Sequence, residues 1–409
     1  MTGAAWAQAT PADVPPVPPP PAAEMAAPPS VPPPPAAAVP PVVEATPPPA
    51  PTPPTSSEAM PATRPEALPP IDVGAWVRVG SRFQKPDDPN SLGDWHMDTA
   101  YVELHAGGKV HKNVGVTLNL NANMLSWNGA GVPSAGSLVA LEDAIISFDF
   151  YDEFHLWAGH LLVPVDRSNA SGPFFMIPWN YPGFFSGGFI GAPYEGPSGR
   201  NNGAVLWGDI AGGKFSYFAG AFDNGDVTSS PLFSGKLRLA LWDPEPGFWG
   251  NGSYFGDKDM LSIDVGGQVQ SHGTIGGDKT YAEVNADVLV EKKLGGGSFV
   301  TGEAAYYHFN QDSGGVSDSM YALVAYATPT IGVGSLQPMV RFQWEKVKDN
   351  PATNPWNVDV GLSYLIKGPA LRVLATYSHT KVLNADATTG AISNGNANSV
   401  QLGAQAIFF

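Results

Sequence analysis

The side chains that could do covalent chemistry are sparse and isolated. The eight histidines are scattered singly. His155 and His160, five apart on one candidate strand, fall on opposite faces and cannot share a metal. No Gly-x-x-x-x-Gly-Lys-Ser/Thr, Gly-x-Ser-x-Gly or His-Glu-x-x-His occurs, so enzymatic readings find little support. Cysteine is absent, which removes disulfides, thiolate metal sites and thiol nucleophiles. Asp87-Asp88, Asp223-Asn-Gly-Asp226 and Asp257-Lys-Asp259 are carboxylate-rich loops open to weak calcium binding, though matches this short read more often as solvated turns. Neither a cofactor nor a metal is expected, and for a membrane-embedded hydrolase no nucleophile and base can be singled out. What remains is a ladder of charges set among apolar neighbours: Arg78, Arg82, Lys236, Arg238, Arg341, Lys367 and Arg372 against Glu103, Asp143, Asp149, Asp264, Glu283, Asp287, Glu303, Glu345 and Asp359. Fixed charges on a hydrated wall select ions by sign, so the chemistry indicated is that of permeation.

The elements that would carry this ladder are strands. In Val114-Gly-Val-Thr-Leu-Asn-Leu-Asn-Ala-Asn-Met124 one face is apolar and the other is Gly, Thr and Asn, which suits lipid on one side and water on the other. The same period recurs through 234–243, 280–291 and 356–367. Strands are expected near 73–83, 95–106, 110–126, 139–150, 153–163, 202–211, 214–223, 234–243, 259–270, 280–291, 297–309, 319–329, 336–346, 356–367, 370–380 and 398–409. That predicts an all-β, transmembrane antiparallel β-barrel of about sixteen strands over 71–409. Charged residues are only 14% of the chain and aromatics 11%, with 47 glycines, unlike a soluble protein with an ordinary charged surface. A soluble β-sandwich would instead place charge on its outward face. Trp76, Trp95, Trp157, Trp207, Trp242, Trp344 and Trp356, with Tyr306, Tyr326 and Tyr377, are candidates for interfacial aromatic girdles.

Connections alternate between short and long, as an outer-membrane barrel requires. Gly107-Gly108-Lys109, Tyr151-Asp152, Gly212-Gly213 and Gly368-Pro369 are expected tight turns. Pro244 to Lys258 breaks the rule, being about fifteen residues long on the short side. The longest connection, 164–201, is the third on the long side and carries Phe174, Phe175, Met176, Ile177, Trp179, Tyr181, Phe184 and Phe185. Aromatics in that number fold against something and do not face solvent. With sixteen strands, this long third loop and the Gly159 to Pro164 exit, the chain resembles the phosphate-selective porin O/P-like family over about 71–409. The resemblance implies a third loop folded into the lumen and a homotrimer. Arg167, at the loop entrance, is placed at the constriction opposite acidic wall residues.

The resemblance does not extend to phosphate. Arg64 is basic and Asp13, Glu24, Glu44, Glu58 and Glu66 are acidic before residue 71, so the remainder carries 20 basic against 32 acidic side chains, a net −12. An anion shedding water needs several nearby cations, so a weakly cation-preferring or unselective pore is expected. The net charge of −16 also argues against nucleic acid as a partner.

Ala5-Trp6-Ala7 has the small-x-small pattern of a signal-peptidase site, so 1–7 reads as a signal remnant. From 8 to 70 the chain is proline and alanine, with 25 of the 42 prolines before Ile71, and is expected to be a disordered, extended periplasmic spacer able to touch peptidoglycan. The final strand ends on Phe408 and Phe409, similar to the signal that barrel-assembly machinery reads in Gram-negative bacteria. Two functions stand: a porin for passive diffusion of small hydrophilic solutes or ions, and a structural outer-membrane anchor tethered to the cell wall through the Pro-rich segment.

Overall fold

The computed structural model describes residues 70–86, 92–96, 100–123, 139–182, 199–223, 230–272, 280–310, 316–347, 354–381, 383–385, 392–394 and 396–408. The expected signal remnant, the Pro/Ala segment to residue 69, Phe184, Phe185 and Phe409 lie outside them.

Sixteen strands close on themselves: β1 (Ile71–Pro86), β2 (Ala100–His111), β3 (Val114–Asn123), β4 (Ala140–Tyr151), β5 (Phe154–Leu162), β6 (Arg200–Ile210), β7 (Phe215–Asp223) and β8 (Leu232–Ala240) form the first half. The second half is β9 (Met260–Gln270), β10 (Tyr281–Gly295), β11 (Ser298–Phe309), β12 (Val316–Ala327), β13 (Ser335–Val347), β14 (Trp356–Lys367), β15 (Leu371–Lys381) and β16 (Ala397–Phe408). Each strand pairs antiparallel with its neighbours, and β1 pairs with both β2 and β16, so no edge is left open. A three-residue strand, Asp94–His96, extends the β2 side of β1, and Leu383–Ala385 with Ile392–Asn394 makes a small hairpin in the last long connection. Ala75 lies opposite Phe408, which puts both ends of the barrel at the short-turn rim.

Alternation sets the two faces. Leu104, Val116, Leu118, Ile146, Leu237, Val265, Val284, Val340, Val360 and Leu402 are exposed on the outside, and Asn119, Ser216, Gln268, Asn285, Gln337 and Gln401 are buried on the inside. Phe408 is 60% exposed on the outer face with Val400 and Leu402, so the last strand presents its apolar set outward.

Three expectations need correction. The first short turn is not at Gly107-Gly108-Lys109 but at Lys112-Asn113, because the outward series Val102, Leu104, Ala106, Gly108, Val110 continues through the glycines and pairs them with β1 and β3. Trp76, Trp157 and Trp207 are not girdle residues. They point inward, Trp207 being 5% exposed, whereas Trp242, Tyr306, Tyr326 and Tyr377 are on the outside. Third, strict alternation is broken in β4: Asn119 pairs with Asp143 and Leu120 with Leu141, so Glu142 is the extra residue of a bulge and both Glu142 and Asp143 are buried. A bulge re-aims the side chain that alternation would have sent into lipid.

Candidate functional site

Two connections from opposite rims enter the lumen and meet. The third long connection leaves β5 at Val163 and forms one short helix, α1 (Arg167–Ser171), which Asp166 caps by accepting from the Asn169 amide at 2.6 Å and Gly172 ends at φ 64°. Gly266 on β9 makes room for its approach, since a Cβ there would overlap the Val165 carbonyl. From the other rim comes the segment 241–259, the connection whose length broke the short-turn rule. Its Gly250 amide donates to Ala170 O at 3.3 Å and its Ser253 amide to Phe175 O at 3.2 Å.

Between them sits a buried ionic cluster. Arg167, 0% exposed, donates to both Glu245 oxygens at 2.7 and 2.9 Å, to Asp264 at 2.9 Å and to Asp287 at 3.2 Å. Arg238 lies 3.4 Å from both Glu245 and Asp264, and Lys236 lies 3.6 Å from Asp264. Three cations thus face three carboxylates. Burial alone would raise the Glu245 carboxyl, but the guanidinium groups of Arg167 and Arg238 and the Tyr254 hydroxyl hold it well below the usual carboxylate range. Arg167 is thus buried and paired with Asp264 and Asp287 of the wall and Glu245 of the 241–259 segment.

The inner wall beside this cluster is apolar where the sequence pattern suggested water. Phe248 of the 241–259 segment packs with Trp157, Trp207 and Phe218, alongside Leu161, Val205, Phe222 and Leu232. Those inward side chains see protein, so an apolar lumen face on β5–β8 costs nothing in hydration.

After α1 the third connection crosses to the opposite wall, tied by side-chain donors on its main-chain oxygens. Gln405 donates to Phe174 O at 2.9 Å, Arg372 to Ile177 O at 3.1 Å, Arg78 to Trp179 O at 2.7 Å and Arg341 to Asn180 O at 2.8 Å. Phe174 and Phe175 meet Trp76 edge-on at 5.2 and 5.3 Å. Trp179 lies under Arg78 at 3.8 Å and on a floor made by Gly80 and Gly403, which are paired across β1 and β16. A Cβ on either glycine would overlap the Trp179 ring. Met176 is buried, and Tyr181 lies within electrostatic reach of Arg200, Glu142, Glu103 and Arg78.

Of the other charges in the ladder, Arg341 pairs with Asp359 at 2.7 Å, Glu303 accepts from Tyr321 at 2.7 Å and Glu283 from Gln268 at 2.5 Å. Glu345 and Arg372 are buried on the inner face, and Arg82 is half-buried. Of these, Arg341 and Arg372 brace the loop. Among the described residues, open space lies along another part of the wall. A cavity of about 700 Å³ runs from Asp72 and Gly107 at the short-turn rim to Glu142 and Arg200, bounded by β1–β4 on one side and by 170–173, Phe175 and 249–251 on the other. At its inner end Arg200 meets Glu142 at 3.1 Å and Asp143 at 3.2 Å, and Glu103 lies 3.3 Å from His105. Of these, Glu103 and Asp143 were in the ladder. Arg200 was missed because it read as loop, and Glu142 because period two pointed it at lipid. The signal that could have found Glu142 is the cost of a carboxylate in the apolar face. Among the described residues no group of three His, Cys, Asp or Glu side chains is arranged to hold a metal ion, and Asp259 bridges to Lys292 at 2.5 Å.

The chain is thus a closed antiparallel barrel with an apolar exterior and an infolded third loop. No family model matches the sequence, and no curated protein matches it. Solved structures do. OprB of Pseudomonas putida superposes at a TM-score of 0.57 with 12% identity, covering 83% of this chain and 94% of that one. An anion-selective porin from Comamonas acidovorans gives 0.55 with 14% identity, over 83% and 100% of the two chains. In-vitro folded OmpT of Vibrio cholerae, an outer-membrane protein in trimer form, gives 0.50 with 12% identity, over 82% and 99%. At these identities the likeness is one of fold.

Proposed function

We propose that this barrel is an outer-membrane porin that lets small hydrophilic solutes or ions diffuse passively, with no chemistry catalysed, and that its path runs along β1–β4. The observation that carries this reading is the cavity between that wall and the two infolded segments, set inside a closed barrel whose outer face is apolar. Glu103 and Glu142 line its inner end with Arg200, and the net charge of −16 on the chain supports weak cation preference. The reading further takes the short-turn rim, and with it 8–70, as periplasmic, and Phe408–Phe409 as the assembly signal. A homotrimer is supported by the trimeric OmpT neighbour. The finer resemblance, to O/P-like porins, rests on the third loop and the Gly159–Pro164 exit, without phosphate as solute.

The test is single-channel recording in a planar bilayer, with reversal potentials in a KCl gradient. Discrete conductance with a cation-side reversal potential that Glu103→Gln moves toward zero is expected; strong anion preference would overturn the charge argument. One observation favours the anchor instead, namely how much of the lumen the ionic cluster and Phe248 fill. Absence of conductance in correctly folded protein would decide for it.

A further inference from the structure

The charged groups on the cavity beside β1–β4 are already engaged. Arg200 meets Glu142 at 3.1 Å and Asp143 at 3.2 Å and lies 5.8 Å over the Trp249 ring, and Glu103 is 3.3 Å from His105. Asp72 is exposed at the rim. An ionic ligand would shed water here without gaining an opposite charge, which is costly. What the cavity offers is apolar surface. Ala170, Pro173 and Phe175 of the third long connection and Trp249 of the 241–259 segment form one side of it. Phe175 is set edge-on against Trp76 at 5.3 Å, and Trp249 edge-on against the buried Phe248 at 5.2 Å, so both rings are fixed surfaces. Arg200 takes one face of Trp249, yet the residue is still 38% exposed. Thr117 and Asn251 add neutral hydrogen-bonding groups to the wall.

The room comes from glycine. Gly107 of β2 lies between its partners Asp72 of β1 and Thr117 of β3, all three on the cavity, and a Cβ there would make only ordinary contacts, with Val116 O at 3.5 Å and Thr117 Oγ1 at 3.9 Å. At Gly172 a Cβ would meet nothing within 4 Å. The volume of about 700 Å³ falls in the range of small-molecule sites, about 300 to 1,000 Å³, which are mostly apolar with a few polar groups. Fixed rings favour a further ring, stacked offset or edge-on. We propose that this cavity binds uncharged aromatic solutes, such as aromatic amides and alcohols, laid against Phe175 and the open side of Trp249. The proposal rests on the porin reading only for how the solute arrives. Binding itself needs no open pore.

Benzamide, benzoate and benzamidinium share one shape and differ in charge, and acetamide keeps the amide without the ring. The experiment is isothermal titration of the full chain in lipid nanodiscs with each of the four, empty nanodiscs being subtracted. Saturable binding of benzamide is expected, about tenfold or more tighter than of either ion, and none of acetamide. Gly107→Leu, which fills the cavity from the wall, should abolish it, and Trp249→Ala should weaken it about threefold to tenfold, as loss of one aromatic contact does. Heat-modifiable gel mobility checks that each variant is folded. Binding of either ion or of acetamide as tight as that of benzamide, no binding of benzamide to folded wild-type protein, or binding indifferent to both substitutions would overturn the proposal. Bilayer recordings on the same samples separate the two readings: a barrel that binds benzamide yet never conducts refutes the porin and leaves the site, while one that conducts without binding refutes the site alone.

Discussion

Glu245 is the side chain on which the lumen's architecture depends most directly, and Glu245→Gln tests that. Its carboxylate takes two bonds from Arg167, at 2.7 and 2.9 Å, and one from the Tyr254 hydroxyl at 2.7 Å, and it lies 3.4 Å from Arg238. The substitution keeps volume but leaves Arg167, Arg238 and Lys236 facing only Asp264 and Asp287, with one buried cation uncompensated. Breaking a buried pair from one side costs about 3–5 kcal/mol. The barrel's ladder of backbone hydrogen bonds does not involve this side chain, so the cost falls on docking of α1 against the 241–259 segment. At about 1.4 kcal/mol per factor of ten, the docked-to-undocked ratio falls roughly a hundredfold or more. Single-channel recording should then show larger or noisier conductance with unchanged heat-modifiable mobility. The double variant Arg167→Met/Glu245→Leu removes one charge of each sign, leaving two cations and two carboxylates, and should restore quiet channels, since replacing a buried pair by apolar groups is often neutral. Wild-type conductance and noise in Glu245→Gln would refute the latch, and so would a double variant as disturbed as the single.

Gly403→Val should expel Trp179 from its glycine floor at an overpacking cost of about 1–3 kcal/mol, releasing the 2.7 Å bond from Arg78 and raising conductance in the same recordings. The pH dependence of the latch has a definite sign. Because the folded Glu245 carboxyl titrates well below its ordinary 4.5, its stabilisation is fully present above that value and is lost only as pH falls toward the folded one, so open-channel noise should stay flat from pH 8 to about 5 and rise only in stronger acid. Deleting Phe408 and Phe409 should lower the folded outer-membrane population without changing synthesis, read by heat-modifiable mobility. Deleting 8–70 should leave conductance unchanged and reduce co-sedimentation with isolated peptidoglycan, and equal sedimentation of both proteins would sink the tether.

The barrel was legible in the sequence because its cause is local. A strand between lipid and water must alternate, and closing sixteen of them needs only that each find its neighbour, so the period in Val114–Asn123 or Trp356–Lys367 already states the fold. The infolding of the third loop was legible for a similar reason, since its aromatics cannot stay in water. The interior was not. Period two fixes which face a residue is on, but what that face meets depends on segments distant in the chain. Trp157 and Trp207 became a core only because Phe248 arrives from the other rim, and Arg167 became a buried strut only because Glu245 does. The bulge that turns Glu142 inward is a two-strand event, invisible in one strand alone. Alternation made the vessel; contacts between residues distant in the chain, 78 positions apart for Arg167 and Glu245 and 195 for Arg372 and Ile177, decided which part of it is filled and which part stays open, because filling is a matter of shape and charge complementarity that no local pattern encodes.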